Sequence, residues 1–331
     1  MAVVEASIVT REDLEARFDG YRSELTAYCY RMLASPFEAE DAVQETFIRA
    51  WRGIDRFEGR AALRSWLYRI ATNVCLDMLN GRERRARPMD LGPARDPAGP
   101  HGDILPEVTW VEPVPDRLVV AADGDPAQVA EARESVRLAF VAALQHLPPR
   151  QRAALILCEV LRWSAAEAAE LLETSVPAVN SALQRARATL EETAAAEAAP
   201  VELKASDREL LDRFVTAFQA YDINLLTDLI REDAIQSMPP YELWLSGRDN
   251  IFSWWFGPGI GCSGSRVLPA GTANGAPAFG QYKPSETGEG HDPWALVVLQ
   301  LRDGAIGELT FFLSTATLFP LFGLPPRLPA P

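Results

Sequence analysis

The chain has 331 residues, 48% of them hydrophobic, which is material for two or three separately cored domains. Its formal charge of −14 at pH 7 excludes a protein that grips nucleic acid through overall basicity, so any DNA contact needs a local patch and a partner that delivers it. No run approaches the roughly 20 apolar residues that span a bilayer, the opening MAVVEASIVTRED lacks the order of a secretory leader, and Cys29, Cys75, Cys158 and Cys262 are too scattered for a metal cluster or disulfide framework. The expectation is a protein of the reducing cytoplasm with no membrane partner, no metal and no cofactor.

In chain order, Thr10 to Leu33 predicts a first helix or helix pair. Thr10 and Asp13 form a variant capping box, and Leu14, Phe18, Tyr21 and Leu25 form the inward stripe. Ser35-Pro36 breaks the pattern, and Glu38, Glu40 and Asp41 favour a new helix N-terminus. Val43, Phe47, Ala50 and Ile54 then make one apolar stripe. Leu63, Leu67, Ile70, Val74 and Met78 make another, after a break at Gly59. Between residues 60 and 87, seven arginines face only Asp77 and Glu83, and this is the basic patch.

The runs Asp41-Ala-Val-Gln-Glu-Thr-Phe-Ile-Arg-Ala-Trp51, Phe57 and Leu63-Arg-Ser-Trp-Leu-Tyr-Arg-Ile-Ala-Thr-Asn73 resemble domain 2 of the sigma-70 family in its extracytoplasmic-function (group 4) form. The resemblance implies that residues 10–87 bind core RNA polymerase through Asp41, Gln44, Glu45, Arg49 and Trp51. A carboxylate and amide rim around an apolar edge suits such an interface. It also implies that the loop 56–62, with Arg56, Gly59 and Arg60, captures a base of the −10 promoter element. Arg64, Arg69, Asn73, Asp77 and Arg84 would continue that contact along the helix. Holding an unstacked base is worth about 1–3 kcal/mol. Trp66 and Tyr68 sit at helical spacing, which favours core over stacking platform.

Residues 88–126 hold eight prolines and a charge of −6 with no helical period, so they read as a linker. Two readings stand: a solubilising spacer, or an acidic strand along the RNA path of polymerase, as the resemblance implies. Ile104, Val108, Trp110 and Val111 form a candidate docking segment within it, with the C-terminal domain as one destination.

Residues 127–195 predict a second helical unit. Val136, Phe140, Leu144 and Leu147 mark its first helix, and Pro148-Pro149 starts the second. Trp163 to Leu172 and Ser175 to Leu190 flank the turn Glu173-Thr174. Leu147-Pro-Pro-Arg-Gln-Arg and Ala165-Ala-Glu-Ala-Ala-Glu-Leu-Leu resemble sigma domain 4, whose helix-turn-helix reads the −35 element. Val176, Val179, Leu183, Ala186 and Leu190 predict the buried side of the last helix, leaving Ser175, Asn180, Ser181, Gln184, Arg185 and Arg187 for promoter DNA. Positions 180 and 182 are often basic in the family. Here Asn180 and Ala182 weaken the phosphate grip, and Asn180 suits an adenine edge.

A third domain follows Pro200. Asp207 to Asp222 and Asn224 to Ile230 predict helices. Strand patterns follow at 234–238, 265–269, 278–282, 294–301 and 306–313, the last two joined by Arg302-Asp303-Gly304, so a curved antiparallel sheet in an α+β domain is expected. Phe214, Phe218, Asp222, Leu226, Leu229, Met238-Pro-Pro, Trp244 and Gly247-Arg-Asp resemble SnoaL-like cone domains over residues 206–316. Such cones enclose a pocket, for which Met238, Tyr241, Trp244, Trp255 and His291 are the candidate lining, with Trp254, Tyr282 and Trp294 beside them. The apolar tail 317–331 needs a covering surface.

The fold expected is thus multidomain: two all-α sigma domains and a C-terminal α+β domain. The function implied by the resemblance is a sigma factor with core RNA polymerase and promoter DNA as partners. Its third domain would regulate it by binding a small molecule or docking within the chain. The alternative is a SnoaL-like cyclase or isomerase fused to a transcription module, with His291 and Asp292 as acid and base.

Overall fold

The computed structural model describes residues 18–54, 63–120, 125–193, 205–286 and 288–330. They form two compact units, one drawn from 1–82, 117–124 and 146–192, the other from 83–116, 125–145 and 193–331.

In the first unit, α1 (Arg22–Leu33) ends at Ala34 in the left-handed region. Ser35 then caps α2 (Pro36–Gly53) by accepting the Glu38 amide at 3.4 Å, with Pro36 in the first turn. α3 (Leu63–Leu79) lies against both. It buries Leu67, Tyr68, Ala71, Val74 and Cys75, while Ile70 and Met78 are only half-buried, so the inward row is turned from the one the apolar spacing predicts. The reason is aromatic: Tyr68 packs edge-on against Tyr28, whose hydroxyl meets Thr72 Oγ1 at 2.8 Å.

The rest of the unit includes α4 (Asp116–Val119), counted from Arg117, then α5 (Pro149–Leu155), with a π-turn over Ile156–Val160, α6 (Ala165–Leu171) and α7 (Val176–Thr193). Ser164 and Glu167 close a capping box at the start of α6, and Glu173 takes a positive φ of 52° in the turn before α7. α7 buries Val179, Leu183 and Ala186, but Val176 stays exposed because it stands in the first turn. The buried Arg152 guanidinium donates to the carbonyls of Met32 and Leu147, tying α5 to the end of α1. Burial pushes its pKa down to about 10.

The second unit holds α8 (Pro126–Glu134), α9 (Leu138–Gln145), α10 (Ala205–Ala220) and α11 (Ile223–Leu229), then β1 (Ile230–Ser237), β2 (Trp244–Ser246) and α12 (Arg248–Trp255). β3 (Arg266–Ala273), β4 (Ala276–Pro284), β5 (His291–Arg302), β6 (Ala305–Phe312) and α13 (Thr315–Phe322) complete it. Residues 125–145 thus group with the C-terminal domain and not with 146–192, a division the helical period does not reveal.

The sheet runs β2-β1-β6-β5-β4-β3, and it is mixed where an antiparallel sheet is expected: β1 pairs with β6 in parallel. The long stretch between them supplies the crossover that parallel pairing needs. The β3–β4 and β5–β6 hairpins turn on Asn274-Gly275 and Asp303-Gly304, each pair in the left-handed region that a two-residue turn demands. Phe214, Phe218, Leu226, Trp255, Leu299, Leu309 and Phe311 belong to the core of helices and sheet.

Two predicted irregular segments are ordered. Residues 85–115 close on themselves, Arg85 Nη1 donating to Trp110 O at 2.6 Å, and also follow the C-terminal domain, Arg95 pairing with Glu242 at 2.7 Å. Trp244 Nε1 donates to Gly92 O at 2.8 Å, and Val114 N to Asn274 Oδ1 at 2.9 Å. Within the predicted docking segment Trp110 and Val111 are buried, whereas Ile104 and Val108 are exposed. The tail covers one face of β4 and β5. Phe319 packs on Tyr282, Leu324 fills the space over Gly280, where a Cβ would lie 2.6 Å from Leu324 Cδ1, and Leu328 pairs with His291.

Candidate nucleic-acid interface and ligand cavity

The exposed row of α2 is Asp41, Gln44, Ile48, Arg49 and Arg52, with Glu45 and Trp51 half-buried beside it. An exposed isoleucine ringed by charge is the composition of a docking surface. Arg49 donates to Glu45 at 2.7 Å and to Asp77 at 3.1 Å, so it joins α2 to α3, and these two carboxylates hold its proton more firmly.

On α3 and the chain beyond it, Asn73, Asp77, Asn80 and Arg84 are exposed. Arg64 and Arg69 have nearer partners. Arg64 pairs with Glu24 at 2.9 Å and lies over the rings of Tyr68 and Trp163, while Arg69 meets Glu170 at 3.5 Å. Both pairs belong to the first unit, so α6 and the residue before its cap cover part of the basic row. Arg56, Gly59 and Arg60 lie outside the described residues. Trp66 is half-buried against Gly53, and Tyr68 is fully buried.

On α7, Asn180, Ser181, Gln184, Arg185 and Arg187 are exposed, opposite the buried Val179, Leu183 and Ala186. A helix with this division can lay one polar face in a major groove. Ser175 Oγ accepts the Ala178 amide at 3.3 Å, so this hydroxyl caps the helix, and Arg187 pairs with Glu159. Glu24, Trp163 and Glu170, which hold the cations of α3, carry no signal at the sequence level, because each acts across the fold.

The C-terminal domain holds a cavity of about 10 Å³, room for a single water, lined by Phe218, Tyr221, Gln236, Met238, Trp254, Trp255, Cys262, Gln281, Trp294 and Phe311. Of the expected residues Met238 and Trp255 line it, with Trp254 and Trp294, whereas Tyr241, Trp244 and His291 do not. Tyr241 meets the His101 ring at a tilt of 52°, Trp244 is drawn to Gly92, and His291 pairs along the tail, its Nε2 3.1 Å from Gly264 O. Tyr282 faces the tail because alternation along β4 sends Phe279 to the core and Gly280 and Tyr282 to the other side.

No carboxylate and no imidazole lines this cavity, and burial pushes the Tyr221 hydroxyl and the Cys262 thiol up, keeping both neutral. Gln281 is absent from the expected lining, and its signal is its place two residues beyond Phe279, at an inward position of an alternating strand. Among the described residues no group of three or more His, Cys, Asp or Glu could hold a metal ion, and no helix is long and apolar enough to cross a membrane.

The Sigma-70 region 2 family matches residues 18–85, and the Sigma-70 region 4 family matches residues 137–190. The ECF RNA polymerase sigma factor SigG of Mycobacterium tuberculosis is 46% identical over 326 residues, covering 96% of this chain and 85% of the relative. The ECF RNA polymerase sigma factor SigJ of the same organism is 28% identical over 219 residues, covering 66% of this chain and 62% of the relative. The crystal structure of SigJ superimposes with a TM-score of 0.57 at 22% identity, covering 90% of this chain and 96% of that one, a likeness of fold.

Proposed function

Because the chain belongs to the ECF RNA polymerase sigma factors, we propose that its exposed helix faces divide the work of promoter recognition residue by residue. As a sigma factor it binds core RNA polymerase and promoter DNA in transcription initiation, and its C-terminal domain is of regulatory type. Asp41, Gln44, Glu45, Arg49 and Trp51 meet polymerase around Ile48. Asn73 contacts a base of the −10 element, with Arg56, Gly59, Arg60, Arg64, Arg69, Asp77 and Arg84 around it. Asn180, Ser181, Gln184, Arg185 and Arg187 read the −35 element, with Ser175 placing the start of the helix. The observation that carries this reading is α7, whose polar face is open while its opposite side is buried.

The C-terminal domain works without catalysis in this reading, in the cytoplasm with the polymerase. A cavity of about 10 Å³ without carboxylate or imidazole supplies neither room for a polycyclic substrate nor an acid–base pair. The hold on residues 92–114 supports regulation through that segment, since a strand fixed to the C-terminal domain is not free to follow a path through polymerase. In vitro transcription with purified core polymerase on genomic promoter fragments tests the assignment. The full chain should start transcription, and Asn73→Ala should impair strand opening with an unchanged melting temperature. A full chain that never starts transcription sinks the reading.

A further inference from the structure

The β3–β4 and β5–β6 hairpins turn on the same kind of residue pair, yet their tips finish in different surroundings. Asp303 at the tip of the second is exposed and meets Arg231 at 2.9 Å, as suits a turn in solvent. Asn274 at the tip of the first is fully buried, so turn geometry alone does not account for it. Its amide does. Oδ1 accepts from Val114 N at 2.9 Å and Nδ2 donates to Val136 O at 2.6 Å, and these partners fix which end of the amide is which. The Asn274 main-chain N also donates to Val114 O at 3.1 Å, so Val114 is held at both of its polar groups.

Neighbouring groups bind the same two segments. Gly275 N donates to Asp116 Oδ1 at 2.8 Å, Asp116 Oδ2 faces Arg133 at 3.7 Å, and Pro115 pairs with Ala273. A Cβ at Gly275 would lie 3.4 Å from Arg133, so the turn packs closely on the end of α8. Val114, Asp116, Ser135 and Val136 are all buried. Just beyond them, Arg137, Leu138 and Ala139 border a small space with Leu301, Arg302 and Gly307 of the β5–β6 hairpin.

These two segments occupy particular places in the chain. Val114 to Asp116 end the part of the linker that groups with the C-terminal domain, and Val136 directly precedes residues 137–190, the match to Sigma-70 region 4. α9, the first helix of that match, groups with the C-terminal domain, while residues 146–190 do not. A region whose first helix is bound to another domain cannot move as one body until that helix is released. A short amide suits both bonds at once, whereas a carboxylate lacks the donor and an apolar side chain lacks both groups.

We propose that the Asn274-Gly275 turn is the docking site of the C-terminal domain for the joint between linker and region 4, and that Asn274 there holds the first helix of region 4 back from initiation. The inference rests on the regulatory reading of the C-terminal domain and names the residue through which its hold reaches region 4.

Hydrogen exchange and in vitro transcription on the full chain test it with two variants. Asn274→Gly keeps the positive φ of the turn and removes the amide, and Asn274→Asp keeps the acceptor while losing the donor. In the free chain Asn274→Gly should exchange about tenfold faster at 111–116 and at 134–140, with residues 295–301 of β5 unchanged. Asn274→Asp should exchange faster at 134–140 and not at 111–116. With purified core polymerase, Asn274→Gly should raise transcription about threefold as the released population grows. Unchanged exchange at either segment in Asn274→Gly, or an equal rise across β5, overturns the docking site. Asn274→Asp exchanging faster at 111–116 than at 134–140 overturns the assignment of the amide donor to Val136. Faster exchange at both segments with equal or lower transcription overturns the hold on initiation. Exchange is read without polymerase, so a chain that starts no transcription loses the sigma assignment while the docking site still stands or falls by exchange.

Discussion

Among individual residues, Asn180 concentrates the question of promoter specificity. It stands exposed on α7 with Ser181, Gln184 and Arg185, and an asparagine amide is suited to the N6 and N7 edge of adenine. Asn180→Ala should cost the polymerase complex about 1–3 kcal/mol of discrimination at one −35 base pair, measured by competition between promoter variants. A uniform loss across sequences would place Asn180 on the phosphates instead. Arg49 shows the limit of reading single positions. Its exposure fits a partner contact, yet its bonds to Glu45 and Asp77 make it a brace between helices as well.

Helix α6 does two things within the first unit: its own cap starts the helix-turn-helix, and its side chains reach the basic row of α3. Hydrogen bonds from the Ser164 hydroxyl and then the Ser164 amide hold the Glu167 carboxyl below the usual glutamate range. A folded-state pKa below the unfolded one means the stabilisation is complete above the ordinary glutamate range and is lost as the pH falls through the folded value. Glu167→Ala should therefore melt lower than the unaltered chain at neutral pH, the gap closing in acid, while Glu167→Gln keeps most of the cap. Thermal melts across pH decide this. Further along the helix, Glu170 meets Arg69 across an exposed gap of 3.5 Å, a pair worth about 0.2–1 kcal/mol. Glu170→Ala should leave stability nearly unchanged and tighten binding of a single-stranded −10 oligonucleotide by the polymerase complex, read by fluorescence anisotropy. Unchanged or weaker binding would show that Arg69 does not serve DNA.

Across the whole molecule, charge and regulation meet in the segment 85–115. The chain carries a net charge of −14, and Arg95 within the acidic stretch 88–126 is matched by Glu242 of the C-terminal domain. Glu242→Arg should repel Arg95, loosen residues 92–105 and raise transcription from the polymerase complex without moving the melting temperature. Equal output from the two proteins in a multi-round assay, with exchange at 92–105 faster in the variant, would show that the hold on this segment does not control initiation.

The helices of regions 2 and 4, the helix-turn-helix and the β5–β6 hairpin were legible in the sequence because their signals are local. Apolar residues recur at helical spacing, Ser-Pro and Ser-x-x-Glu start helices, and Asp303-Gly304 turns a strand. The presence of an α+β domain followed from the same signals. The parallel pairing of β1 with β6, the grouping of residues 125–145 with the C-terminal domain, and the order in residues 85–115 did not, since each depends on partners more than a hundred residues away or on which edge of a sheet is left open. The same division holds for the sites. The exposed faces of α2 and α7 follow from periodicity, whereas Tyr241, Trp244 and His291 leave the cavity and Gln281 enters it because strand register and the covering segments decide where a side chain finishes. Sequence alone determined the elements and the family resemblance. Tertiary structure alone decided which cations are already paired, because pairing is a property of contacts between distant residues.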